Sequence, residues 1–332
     1  MLNGRTRVTT RSLKTAAIAL ALAVAVGFMP TSPAQAKPDI KDVQARVDRL
    51  YHEAEQASER YNDAKLELAE LTKDLRSLKA DQARQDARLA VVRGRVQDTV
   101  VRQYEGQGIS AVGQLIVSDD PSSFLGQLST MSAYNDLQGE MFDSYATELK
   151  ALDIRREASE QRAADVAATE KKLAAEKATI DKKLAEAKSL LSDLKEQERE
   201  EILSRGDVRV PSDVPASGRA AAAVNYAMAQ VGKAYVYGAA GPSAFDCSGL
   251  TMMAWAQAGV ALPHSSSAQY SSGPHIAASD LRPGDLVFYY SPISHVGMYI
   301  GNGMIVNALN PGAGVRVSAL YSMPYVGAVR PG

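Results

Sequence analysis

From Val43 onward apolar residues recur at steps of four and three, through Val43, Val47, Leu50, Ala54, Ala57, Tyr61, Ala64, Leu68, Leu71, Leu75 and Leu78. After polar Gln82 and Gln85 the same register resumes at Leu89, Val92 and Val96. A heptad seam this long predicts a coiled-coil helix. A second seam runs through Tyr145, Leu149, Leu152, Ala163, Val166, Leu173, Ile180, Leu184, Ala187, Leu191 and Leu194, with Arg156, Ser159, Glu170 and Lys177 at in-register positions that weaken packing. At about 1.5 Å per residue each helix would reach roughly 100 Å. The simplest arrangement is an antiparallel hairpin in which the second helix folds back on the first; an intermolecular coiled coil is the rival. Between the seams, Gly106 to Tyr134 breaks the heptads with Gly106, Gly108, Gly113, Asp119-Asp120-Pro121 and Gly126. It also carries Ile109, Val112, Leu115, Ile116, Val117, Phe124, Leu125 and Leu128. A segment that merely turned would be short and polar. The tip is therefore either a small helical knob with an apolar docking surface or a cap on the hairpin's own core.

The pattern changes beyond residue 203. Residues 204–217 hold two prolines among small polar residues with no periodicity, the mark of a linker. Arg219 to Val231 is Ala-rich and reads as a helix, and Ser248 to Gly259 as another, with Leu250, Met253, Ala254 and Ala258 on one face and Gly259 as its stop. Leu281 to Asp285 reads as a turn, and Leu286 to Tyr290, Val315 to Val317 and Val326 to Val329 as short strands. His295 to Ile300 and Met304 to Leu309 form a hairpin around Gly301-Asn302-Gly303. A three-residue loop places Val296, Met298, Ile300, Met304, Val306 and Ala308 on one wholly apolar face, which must be the core. His295, Tyr299 and Asn307 then share the other face, with Asn307 opposite Gly297 and diagonal to His295. A two-residue Asn-Gly turn would instead bury Asn307 among apolar groups, at a cost for an unpaired amide.

Composition adds three constraints. Of 332 residues, 45% are hydrophobic and the net charge is -1, with no dense basic patch of the kind nucleic acid would need. Residues 1–36 place Arg5, Arg7, Arg11 and Lys14 ahead of an apolar run from Ala16 to Phe28 and end in Ala34-Gln35-Ala36, the layout of a secretory signal peptide. The run is shorter than the roughly 20 residues a spanning helix needs, and no later stretch is apolar enough, so the mature chain is expected to act outside the membrane without a transmembrane span. Third, Cys247 is the only cysteine, which rules out an internal disulfide and directs attention to its chemistry. It lies at the first turn of a helix, where free backbone N–H groups and the helix dipole favour a thiolate.

A helix-start cysteine, a strand histidine and an amide on the next strand are the parts of a thiol nucleophile. His295 would take the thiol proton and return it to the leaving amine, and Asn307 would orient the imidazole. Structural alternatives remain open: a strand-edge histidine bonded to backbone, and a polar residue near a turn. His264 and His275 lie in loop-like surroundings and are read as non-catalytic, with no metal ligand set and no cofactor. His52 is expected to be solvated on the exposed side of the coiled coil.

Five motifs in order, Tyr235-Val-Tyr-Gly238, Phe245-Asp-Cys-Ser-Gly-Leu250, Leu262-Pro-His-Ser-Ser266 with Gln269, Leu281-Arg-Pro-Gly-Asp-Leu286 and Ser294-His-Val-Gly-Met-Tyr-Ile-Gly301, strongly resemble the NlpC/P60 family of cell-wall cysteine peptidases. The resemblance covers residues 218–332. It implies an α+β, papain-like catalytic domain following the long, mainly antiparallel α-helical coiled coil. It also implies hydrolysis of peptidoglycan stem peptides at the bond between D-γ-glutamate and meso-diaminopimelate. By position, Cys247 is the nucleophile, His295 the base and Asn307 the third polar group. Tyr235 matches a tyrosine that polarises the reacting carbonyl, Asp246 and Ser248 match contacts to the amine-bearing side of the substrate, and Ser265, Ser266 and Gln269 match the cleft lining. Two departures stand out: the third position is more often His or an acid, and Tyr237-Gly238-Ala239 replaces the common tryptophan-glycine-glycine. The expected organisation is a signal peptide (1–36), a coiled-coil hairpin with an apolar tip at 106–134 (37–203), a linker (204–217) and the peptidase domain (218–332). This order is similar to that of actinobacterial cell-separation hydrolases. It implies regulation through the coiled coil, with docking there by a membrane division complex of the FtsE-FtsX type. The competing reading is a coiled-coil adaptor whose terminal domain binds wall peptides without cutting them.

Overall fold

The structure, a computed structural model, describes residues 40–105, 121–194, 196, 199, 214 and 216–332. The expected signal peptide, residues 106–120 of the tip and most of the linker lie outside the described residues. Two helices dominate the first half: α1 (Ile40–Tyr104, 65 residues) and α2 (Pro121–Ser192, 72 residues). Pro121 opens α2 at the position where a missing N–H costs nothing. Gly126 lies inside α2, so the helix continues through a glycine that interrupts the heptads.

The helices of one chain pair antiparallel. Arg46 bridges to Glu186 at 3.4 Å, Arg60 to Glu176 at 2.9 Å and Arg156 to Asp86 at 3.5 Å, so numbers fall on one helix as they rise on the other. Val43, Val47, Leu50, Ala54, Ala57 and Ala64 of the first seam are buried, as are Leu152, Ile180, Ala187 and Leu191 of the second. The polar substitution at Ser159 is buried too. Leu68, Leu71, Leu75 and Leu78 are only half-buried, and Ala163 and Leu149 are exposed. A pair of helices leaves its seam partly wet, and buried positions on α1 are densest between Val43 and Ala64, the stretch that a third layer covers.

That third layer is an α+β unit. It comprises α3 (Gly218–Met228), a parallel pair β1 (Ala234–Tyr235) and β2 (Ala244–Phe245), α4 (Cys247–Gln257), α5 (Ser266–Tyr270) and six further strands. These are β3 (His275–Ile276), β4 (Leu286–Tyr289), β5 (His295–Gly301), β6 (Met304–Ala308), β7 (Val315–Ala319) and β8 (Tyr325–Val329). They form one antiparallel sheet in the order β3-β8-β4-β5-β6-β7. Leu250, Ala254 and Trp255 of α4 and Ala223, Val224 and Ala227 of α3 pack on Val296, Met298, Ile300, Val306 and Ala308, making the apolar face of the β5–β6 hairpin the core. Val214 and Ala216, within the expected linker, also pack against this core.

The turn of that hairpin combines both geometries considered from sequence. Gly301 pairs with Met304 around a two-residue Asn302-Gly303 turn with both φ values positive, +55° and +69°, as a type I′ turn requires. A bulge between Tyr299 and Gly301 then shifts the register, so that Met298 faces Val306 as a three-residue loop would have it. The bulge keeps Asn307 off the core face.

Candidate active site and the arm that covers it

Asp246 is the N-cap of α4: its carboxylate accepts from Gly249 N at 2.6 Å and from Gly238 N at 2.8 Å, tying the start of the helix to the β1–β2 loop. The cap fixes Cys247 as the first residue of the helix. β5 begins at His295, and its neighbour β6 brings the Asn307 amide within 3.0 Å of His295 Nε2. Ser318 on β7 donates to Asn307 Oδ1 at 3.2 Å, holding the amide in place. Gly297 leaves room for this contact, since a Cβ there would lie 2.9 Å from Ile305 Cδ1 and 3.2 Å from Asn307 Cβ. Cys247, His295 and Asn307 are thus gathered at one point, and all three are buried.

The burial comes from α1. Glu55 Oε1 lies 2.6 Å from His295 Nδ1, and the thiol, the imidazole and the Glu55 carboxylate each place an atom within 4.8 Å of the other two. One turn further on, Glu59 receives Ser248 Oγ at 3.0 Å, Ser266 Oγ at 2.6 Å and the Ser266 backbone N–H, with Cys247 Sγ 3.7 Å away. Asn62 donates to Asp246 at 3.4 Å, Asp63 receives the hydroxyls of Ser265 and Ser267, and Tyr237 donates to the Tyr51 carbonyl at 2.9 Å. Beside this contact a cavity of about 320 Å³ remains between α1 and the sheet, lined in part by Asp48, Tyr51, His52, Glu55, Tyr290 and Asn310.

The electrostatics are those of a silenced thiol. Burial pushes the Cys247 thiol well above its ordinary range, and the charges of Glu59, Glu55 and Asp246 push it further. The thiolate expected from the helix terminus is therefore suppressed in this arrangement. Burial alone would raise Glu55, but the charge and hydrogen bond of His295, helped by His52, outweigh it and hold the carboxyl below its ordinary value. An ionised Glu55 only accepts, so Nδ1 must carry the proton between them. A protonated Nδ1 cannot take the thiol proton. Glu59 is pushed up to about 7, first by burial and then by the neighbouring Asp246, against the hydrogen bonds from Ser266 and Ser248.

The other residues singled out from sequence are placed as follows. Tyr235 is buried with its ring edge-on to Tyr237 at 4.9 Å. Ser248 and Ser266 both meet Glu59, whereas Ser265 caps α5 and meets Asp63. Gln269 ties α4 to the preceding loop, donating to Ser248 O at 2.9 Å and Pro263 O at 2.8 Å and accepting from Thr251 at 2.7 Å. His264 stands beside Asp246 at 2.8 Å, and His275 is exposed. His52 corrects an expectation. Rather than lying on the solvated side, it packs its ring 4.1 Å from that of Tyr290 and hydrogen-bonds Gln56 at 3.1 Å.

The family model for NlpC/P60 matches residues 232–329. Residues 232–329 form an NlpC/P60 domain. A probable endopeptidase of Mycobacterium tuberculosis is 51% identical over 102 residues, covering 31% of this chain and 26% of that protein. A probable endopeptidase of Corynebacterium glutamicum is 42% identical over 124 residues, covering 37% of this chain and 59% of that protein. The chain thus spans about a quarter to somewhat over half of these relatives. Among solved structures, the peptidoglycan hydrolase RipB from Mycobacterium tuberculosis matches at 30% identity with a TM-score of 0.32, covering 34% of this chain and 64% of that one. The residues matched by the family model leave α1 and α2 aside.

Glu55, Glu59, Asn62 and Asp63 were not singled out from sequence, although a signal existed. Spaced by four, three and one, they form a helical stripe beside the seam, and with Tyr51, His52 and Ser58 they make a second face of α1. A charged stripe on a coiled coil is ordinarily solvated. Here it is the contact with the NlpC/P60 domain.

Proposed function

We propose that the chain is a secreted peptidoglycan D,L-endopeptidase that cuts the D-γ-glutamyl to meso-diaminopimelate bond by a Cys-His-Asn thiol mechanism, in wall remodelling and daughter-cell separation, and that α1 is its intramolecular inhibitor. The observation that carries the reading is the convergence of Cys247, His295 and Asn307 within an NlpC/P60 domain, with Glu55 on His295 Nδ1, the ring nitrogen that Asn307 leaves open. Once α1 is withdrawn, the imidazole proton passes through solvent from Nδ1 to Nε2, where the turned Asn307 amide accepts it through Oδ1; Nδ1 then takes the thiol proton as Sγ attacks the scissile carbonyl. The imidazolium then gives its proton to the leaving amine, forming a thioester; water, deprotonated by His295, hydrolyses it and restores the thiol. Asn307 holds the ring through Nε2, and Tyr235 would assist at the carbonyl. Ser248 and Ser266, whose hydrogen bonds Glu59 takes in the closed chain, would become available to the stem peptide. The amino-terminal 36 residues support export, and an arm that must be moved supports control by a partner, for which a membrane complex of the FtsE-FtsX type is the proposed class.

The test is incubation of residues 218–332 with purified muropeptides, reading new amines and fragment masses. Cleavage between D-glutamate and the diamino acid, absent in Cys247→Ala, is expected. Intact substrate with both proteins would sink the enzyme reading in favour of a wall-binding adaptor.

A further inference from the structure

The closed arrangement brings together three donor atoms of three kinds: the Cys247 thiol and His295 imidazole from the NlpC/P60 domain and the Glu55 carboxylate from α1. All three residues are buried, and the donor atoms lie within 4.8 Å of one another. A tetrahedral Zn²⁺ binds sulfur, nitrogen and oxygen at about 2.0 to 2.3 Å, which sets donors roughly 3.3 to 3.7 Å apart. The set mixes a soft thiolate with imidazole and carboxylate, which selects zinc over calcium or magnesium. Two further buried carboxylates, Glu59 and Asp246, border the thiol, so a dication enters a field already disposed to hold it; Glu59 Oε1, 3.7 Å from Sγ, is at hand for the fourth position.

We infer that Cys247, His295 and Glu55 form an inhibitory Zn²⁺ site that exists only while α1 covers the NlpC/P60 domain, so that the metal locks the arm shut. It is a lock and takes no part in the reaction. On binding, the thiol proton and the Nδ1 proton leave to solvent, and Glu55 exchanges its hydrogen bond for a metal bond. The inference rests on the side-chain arrangement rather than on the peptidase reading, and its readout needs no substrate.

The test titrates the metal-free full chain with Co²⁺ as a spectroscopic stand-in and Zn²⁺ in competition with a chromogenic chelator. One equivalent should bind with a thiolate-to-cobalt charge-transfer band, and Zn²⁺ should protect Cys247, the only cysteine, from alkylation. Glu55→Gln should weaken Zn²⁺ at least tenfold, with its helical circular dichroism unchanged. Glu55→His, which keeps a donor atom, should recover most of that loss. Unchanged affinity in Glu55→Gln, failure of Glu55→His to recover binding, or metal bound without the charge-transfer band would overturn the proposal.

Discussion

Cys247 and His295 are held apart chemically although they are neighbours in space. Glu55 takes the imidazole's proton-bearing nitrogen while burial and three carboxylates keep the thiol protonated. Relieved of Glu55, the pair should be indispensable: Cys247→Ala and His295→Ala are expected to leave almost no muropeptide cleavage in residues 218–332. Asn307 orients the ring through a neutral hydrogen bond, so Asn307→Ala should lower kcat by about 10²-fold and leave measurable turnover, at the lower end for loss of general acid–base efficiency. Glu59 adds a pH dependence. Its carboxyl is raised from 4.5 to about 7 in the closed chain, so the protonated form belongs to the closed state. Its contribution to closure is fully present below pH 4.5 and is lost as pH rises through about 7, by at most roughly tenfold in the closing equilibrium per pH unit. Glu55, held below its ordinary value, acts in the opposite sense: its contribution is present above that ordinary value and is lost as pH falls through the lowered one. Alkylation of Cys247 should therefore gain on the Glu59→Gln variant between pH 5 and 7; a constant ratio of the two rates would count against the coupling.

At the level of elements, the long seams, the two helices of the catalytic part and the apolar face of β5–β6 were legible because each follows one period over many residues. Gly126 interrupts the heptads without ending α2, because a single glycine within a long helix costs only about 1 kcal/mol, which its neighbours offset. Register alone put His295 and Asn307 on one face, while Cys247 joined them only through the resemblance; the bulge at the turn preserved that register while altering the loop. The face of α1 carrying Glu55, Glu59 and Asn62 was not legible. Its polarity is what a solvated helix face would show, and only the tertiary contact distinguishes the two. Gly297 is the local test of the strand geometry: Gly297→Ala puts a Cβ against Ile305 and Asn307. It should destabilise the domain by about 1 to 3 kcal/mol, typical of overpacking, in urea unfolding. It should also cut turnover about as much as Asn307→Ala does.

Across the whole molecule, the half of α1 nearest the amino terminus serves two partners at once. Its apolar seam is paired with α2 and its acidic stripe with the NlpC/P60 domain, so one continuous helix joins the hairpin to the candidate site. Among the described residues Val91, Val100, Val101, Tyr104, Leu137 and Phe142 are exposed near the far end of that hairpin, remote in sequence from the stripe they would move. No helix among the described residues is long and apolar enough to cross a membrane. The most direct test of arm-controlled catalysis compares muropeptide cleavage by the full chain, by Glu55→Lys/Glu59→Lys and by that double variant carrying Cys247→Ala. The account predicts slow cleavage by the full chain, at least tenfold faster cleavage by the double variant and none once Cys247 is removed. Equal rates for the full chain and the double variant, or cleavage that survives Cys247→Ala, would contradict it.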